Sequence, residues 1–205
     1  MITKKGFTLI ELLIVVAIIA ILAAIAVPNF LEAQVRSKVS RTKSDLRTFV
    51  TAIEAYAIDN RHYPTYGTDY NGLQMTPATE PQICEPHRLT TPIAYITSDS
   101  SMIDPFRTKS PPASWGAEPP YYFKLYNYVN WDDVRYKDIG YVHDRYGEWR
   151  LTGAGPDGWF FNTGSGGPDS GPGFQVVPYD ATNGSVSVGD IIRTQKDTEF
   201  QKQYI

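Results

Sequence analysis

Lys4-Lys5-Gly6-Phe7-Thr8-Leu9-Ile10-Glu11 is followed by an unbroken apolar run over residues 12–27, and this stretch decides the reading of the chain. Residues 7–27 carry one charge, and as a helix they are long enough to cross the ~30 Å hydrocarbon core of a bilayer. The exception is Glu11, a carboxylate costing roughly 2.5–3.5 kcal/mol inside a membrane segment. A chain that keeps such a group uses it. A secretory signal peptide would have a shorter apolar core and a small-residue cleavage site behind it. Ala23-Ala24-Ile25-Ala26 imitates that site, but Glu11 sits badly in such a core. A buried amphipathic helix would confine its apolar residues to one face, whereas sixteen in succession cover every face.

Residues 4–11 resemble the processing signature of type IV pilins and type II secretion pseudopilins. That resemblance implies cleavage by a prepilin peptidase at Gly6–Phe7, before the apolar run, and N-methylation of the new first residue, Phe7. Residues 1–6 are then a leader. Residues 7–29 stay in the mature chain, as a membrane span first and as filament core afterwards. Glu11 would offset the amino group of Phe7, four residues away on its own helix or on a neighbouring subunit. The expected location is the bacterial inner membrane, crossed once, with the globular part in the periplasm. Arg36, Lys38, Arg41, Lys43 and Arg47 follow the span, so a count of positive charges points the other way. The leader signature takes precedence, because its peptidase site must face the cytoplasm.

Beyond the span, Leu31, Val35, Val39, Leu46, Phe49, Val50, Ile53, Tyr56 and Ala57 recur at helical spacing. Arg36, Lys43, Asp45, Arg47 and Asp59 fall on the other face. The pattern predicts one helix from Phe7 to near Asn60, its amphipathic half covering 30–63, stopped by Tyr63-Pro64. Pro28 lacks an N–H and crowds the preceding turn, which predicts a kink or local melting. The resemblance implies a section there that unwinds in the filament; a static kink is the alternative.

Residues 64–205 form the globular part. Ten of the fifteen prolines lie in 64–120, an irregular connector with a short helix expected around 86–95. Strand-like stretches follow at 121–129, 139–143, 148–152, 174–177 and 185–193, with a hairpin-type turn signal at Asn183-Gly184. The predicted fold is α+β and pilin-like, a long N-terminal helix packed on a small antiparallel sheet. Residues 52–60 with Tyr63-Pro64-Thr65, Leu89-Thr90-Thr91-Pro92, Asp104-Pro105-Phe106, Gly155-Pro156-Asp157-Gly158 and Gly189-Asp190-Ile191 also resemble the major pseudopilin of type II secretion.

Eight of sixteen glycines fall in 153–173, among Asp157, Asp169, Asp180, Asp190, Asn162 and Asn183. Calcium takes six to eight oxygens, many of them backbone carbonyls, which glycine-rich loops turn inward. The resemblance implies a calcium loop here where many surface pilins have a disulfide, with Asp157 and Asp190 as ligands and Asp180 as a further candidate. Cys84 is the only cysteine, so no intramolecular disulfide closes the region. The alternative is a metal-free loop with aspartates as turn residues.

The net charge of −3 does not point to nucleic acid. Gly153-Ala154-Gly155-Pro156-Asp157-Gly158 spells Gly-x-Gly-x-x-Gly, but no helix start follows it. His62, His87 and His143 lack ligand spacing, and no nucleophile constellation appears, so no enzyme is expected. The resemblance implies a structural subunit polymerised into a periplasmic filament that drives protein export. Its implied partners are copies of itself, minor pseudopilins, prepilin peptidase, an inner-membrane assembly platform and membrane lipid. Two alternatives stand beside it. One is a surface type IV pilin for adhesion, motility or DNA uptake; the other is a membrane-tethered ligand-binding domain that never polymerises.

Overall fold

The computed structural model describes residues 7–64, 89–90, 92–97, 102–107, 124–130, 143–144, 146–158, 177–184, 187 and 189–198. The first element, α1, is a single helix over Leu9–Asn60. Its 52 residues rise about 78 Å at 1.5 Å each. Thr8 caps it in extended backbone conformation, and Glu11 completes a reciprocal capping box. At the far end Arg61 adopts the left-handed conformation (φ 62°) and donates its N–H to Ala57 O at 2.8 Å. Tyr63 and Pro64 follow, so the helix stops where the sequence predicts, through a cap supplied by Arg61. No melting occurs at Pro28, because α1 runs through it as one helix. A proline removes a single intrahelical bond, and the turns on either side keep theirs.

Three short strands follow: β1 over Asn127–Asn130, β2 over Trp149–Gly153 and β3 over Ile191–Thr194. They form one antiparallel sheet in the order β1-β2-β3. Val129 faces Arg150 across the first pair, and Leu151 faces Arg193 across the second. The sheet lies on the C-terminal half of α1. Val39, Thr42, Leu46, Phe49, Ala52, Ile53 and Tyr56 are the buried positions of the helix, steps of three and four that keep one stripe inward. They pack with Leu89, Ile96, Met102, Phe106, Leu125, Tyr126, Tyr128, Trp149, Leu151, Ala154 and Ile191. Burying a side chain such as Leu46 or Ile53 contributes about 1.5–3 kcal/mol. The fold is the α+β arrangement expected from the sequence.

Several boundaries differ from the expectation. The strand expected over 148–152 forms with a shift of one residue. Of 121–129, only the end is strand; Leu125 forms an isolated bridge with Ile103, and residues 121–123 lie outside the described residues. His143 and Asp144 sit in a helical turn closed by Gly147 N–H to His143 O, not in a strand. The rest of 139–143 lies outside the described residues, as does 174–176. Val177 is not in a strand. Of the strand expected over 185–193, residues 191–193 lie in β3, Ser187 and Gly189 are not in a strand, Asp190 makes an isolated parallel bridge with Pro178, and 185, 186 and 188 lie outside the described residues. A turn does form at 181–184, with Gly184 at φ 51°, but its arms meet through that parallel bridge and not as a hairpin. Leu89 and Thr90 are helical, yet the helix expected over 86–95 does not reach Tyr95: Pro92 has no N–H to continue it.

Candidate assembly and membrane-anchoring surface

From Leu9 to Leu31 every large apolar side chain of α1 is between 46% and 84% exposed, on all sides of the helix. An apolar surface this long, with none of the other described residues against it, needs a bilayer or other subunits. The helix is long and apolar enough to cross a membrane. Glu11 stands at its start. Thr8 donates its backbone N–H at 2.8 Å and its hydroxyl at 2.7 Å to Glu11 Oε2. Glu11 N–H returns a bond to Thr8 Oγ1 at 3.3 Å. In the single chain this carboxylate is therefore held at the helix start by Thr8. Phe7 is exposed beside it; Gly6 and the rest of the leader lie outside the described residues.

The head grips the helix through acidic side chains as well as apolar ones. Tyr126 OH donates to Asp45 Oδ2 at 2.8 Å, Trp149 Nε1 to Glu54 Oε1 at 3.0 Å, Tyr63 OH to Glu54 Oε2 at 3.1 Å and Tyr95 OH to Asp59 Oδ2 at 2.9 Å. Burial and the neighbouring Glu54 push the Tyr63 phenol up. The expected solvent face of α1 is thus partly a docking face: Asp45 and Asp59 hold head residues, while Arg36 and Arg41 pair along the helix with Glu32 and Asp45.

At the inner corner sits Asp104, 1% exposed. Its Oδ1 accepts from Phe106 N–H at 2.8 Å and its Oδ2 from Ala154 N–H at 2.6 Å. It therefore ties the 102–107 segment to the end of β2. Burial pushes its carboxyl up to about 7, against the pull of the two amides and Arg107. Burial also lowers Arg107, to about 10, opposed by Asp104 and Asp190. Sequence reasoning used Asp104 only as part of a family phrase and missed Arg107, Glu54 and Trp149. Charged residues beside aromatic ones were the available signal.

Asp157 and Asp190 lie on loops that the fold presses together. A Cβ on Gly155 would run into Gly189 O, and one on Gly189 into Pro178 O. Glycine is required at this crossing because two backbones meet there. Asp190 is buried and lies within electrostatic reach of Arg107, while Asp157 is half-buried. Asp180 is turned to its own loop: Thr182 donates its amide and hydroxyl to Oδ1, which holds the carboxyl below its usual range. Among the described residues no three His, Cys, Asp or Glu side chains converge as a metal site. These side chains alone do not make the six to eight oxygens calcium takes. Asn162, Asp169 and Cys84 lie outside the described residues.

Residues 1–27 match the prokaryotic N-terminal methylation motif. Residues 29–121 match the type II secretion system protein G family. Both matches are to families of the type IV pilin and type II secretion group, and the relatives found are of the same two kinds. This pilin-like chain is 49% identical over 66 residues to the type IV major pilin protein PilA of Myxococcus xanthus, covering 32% of this chain and 30% of that protein. It is 37% identical over 79 residues to the type II secretion system core protein G of Pseudomonas aeruginosa, covering 38% and 56%. The type IV wide pilus major component PilA4 of Thermus thermophilus is 49% identical over 76 residues, covering 36% and 58%. The chain thus spans between about a third and three fifths of the length of these relatives. No solved structure matches it. The protein G family matched over 29–121 is a structural one, not an enzyme family.

Proposed function

We propose that this pilin-like chain is the structural subunit of a type II secretion pseudopilus. Prepilin peptidase cuts it at Gly6–Phe7, the helix over 7–29 holds it in the inner membrane with its head in the periplasm, and it then polymerises with copies of itself into a filament that drives protein export. Minor pseudopilins and an inner-membrane assembly platform are its further partners. The observation that carries this reading is the apolar first half of α1, exposed on every side and introduced by the methylation motif. The protein G match over 29–121 supports secretion over other pilin roles. In the filament, Glu11 exchanges Thr8 for a neighbour's Phe7 amino group, and Pro28 marks where the helix yields.

The experiment is the intact mass of the protein from membranes, with and without Gly6→Ala. The reading expects a chain beginning at methylated Phe7 that disappears in the variant. A chain beginning after Ala26, or one retaining Met1, overturns it. A surface type IV pilin is the second reading, favoured by the identity to PilA of Myxococcus xanthus. Imaging separates the two: short envelope-bound filaments fit secretion, long extracellular ones a pilus. A tethered domain that never polymerises would keep its function and location in Glu11→Ala, whereas assembly fails in that variant on the main reading.

A further inference from the structure

We infer that the turn over 180–184 seats the head directly on the phospholipid headgroup layer, with no free helix between membrane and head. The inference rests on the membrane-anchored reading above. Twenty residues, 12–31, separate Glu11 from Glu32. At 1.5 Å each they rise about 30 Å, the thickness of the hydrocarbon core. A carboxylate within the core is costly, so with Glu11 near the face where the span begins, Glu32 falls at the other face. Glu32 therefore lies at the far headgroup level, paired with Arg36 at 2.6 Å.

The head reaches down to this same level. A Cβ built on Gly184 would lie 3.8 Å from Glu32 Oε1. Tyr179 packs, with Val35, against the core and lies within electrostatic reach of Arg36 and Glu32. A half-buried tyrosine at this depth suits the boundary between apolar and wet layers. The turn is held stiff from within. Thr182 caps Asp180, Asp180 N–H donates to Ser187 Oγ at 3.0 Å, and Tyr179 N–H donates to Asp190 O at 2.7 Å. Its outward residues, Asp180, Ala181, Thr182 and Asn183, are exposed and carry one charge among them. Short polar groups of this kind fit among hydrated phosphocholine headgroups. Among the described residues Gln195 lies far from this level, because its Nε2 donates to Tyr63 OH, which bonds Glu54, about 33 Å along the axis from Glu32.

The test places single bimane labels on the mature full-length chain, with Cys84→Ser, in dilute phosphatidylcholine vesicles. The label sits at Ala181→Cys, Asn183→Cys, Lys196→Cys or Ile19→Cys. Lipid carrying a nitroxide on the headgroup should quench 181 and 183 severalfold more than 196. Lipid with a nitroxide deep in the acyl chain should quench 19. Strong quenching at 19 with 181 and 183 no more quenched than 196 overturns the headgroup seat and leaves the anchored reading standing. If 181 and 183 instead show energy transfer between copies, the turn is a subunit contact and the seat is overturned. No quenching at 19 overturns the anchored reading and the seat with it.

Discussion

Asp104 shows how one carboxylate organises a corner. It accepts amides from Phe106 and Ala154, with Arg107 beside it. Its folded value of about 7 lies above the ordinary 3.8. A raised acid favours the folded state when protonated, so its contribution is complete below about pH 4 and is lost as the pH rises through about 7. Urea unfolding in detergent at pH 5 and pH 8 should show the native chain weaker at pH 8 by an amount of order a few kcal/mol. Asp104→Asn should remove that difference. It should also destabilise at pH 5 by about 1–3 kcal/mol, since an amide offers one acceptor where two N–H groups point. A pH difference unchanged in the variant would assign the effect to another group. Arg61 is the other telling residue. It holds a positive φ that costs a side-chain-bearing residue roughly 1–2 kcal/mol. Arg61→Gly should therefore raise the melting temperature slightly, with the gain held below about 1 kcal/mol by the freer unfolded chain.

The element that matters most is α1, and its two halves obey different rules. From Val39 to Tyr56 it is an amphipathic helix locked to the sheet. Leu46→Ala should cost about 2–5 kcal/mol in denaturant unfolding, because the cavity lies between α1 and the sheet. Glu54→Ala should cost about 1–3 kcal/mol, since it strands Trp149 Nε1 and Tyr63 OH together. The double variant of Glu54→Ala with Tyr63→Phe should lose less than the two singles summed. Before Leu31 the same helix has no partner among the described residues, and substitutions such as Ile19→Ala should leave unfolding of the head unchanged.

At the scale of the molecule, a small three-stranded sheet braces one end of a very long helix and leaves the other end to an environment outside the chain. A calcium ion bound only by the folded head would raise its melting temperature as free calcium exceeds the dissociation constant. Asp157→Ala should abolish that rise; a melting curve indifferent to calcium and to chelator would remove calcium from the account.

Periodicity made the helix legible from end to end, because an apolar stripe at 3.6-residue spacing and an apolar run are both local signals. Trp149 to Gly153 was legible for the same reason, as a short β-rich stretch. The Pro178–Asp190 bridge was not, since a parallel contact between segments twelve residues apart leaves no periodic trace. Nor was the second role of the polar face: Asp45, Glu54 and Asp59 look like solvated charges until Tyr126, Trp149, Tyr63 and Tyr95 are folded against them. The sequence by itself determined the anchor, the helix, its stop and the family resemblance, all of which depend on neighbours within a few residues. Only the tertiary structure decided that Asp104 is buried at a crossing of segments and that the 180–184 turn descends to Glu32. Those facts depend on burial and on contacts between distant parts of the chain, which local patterning does not encode.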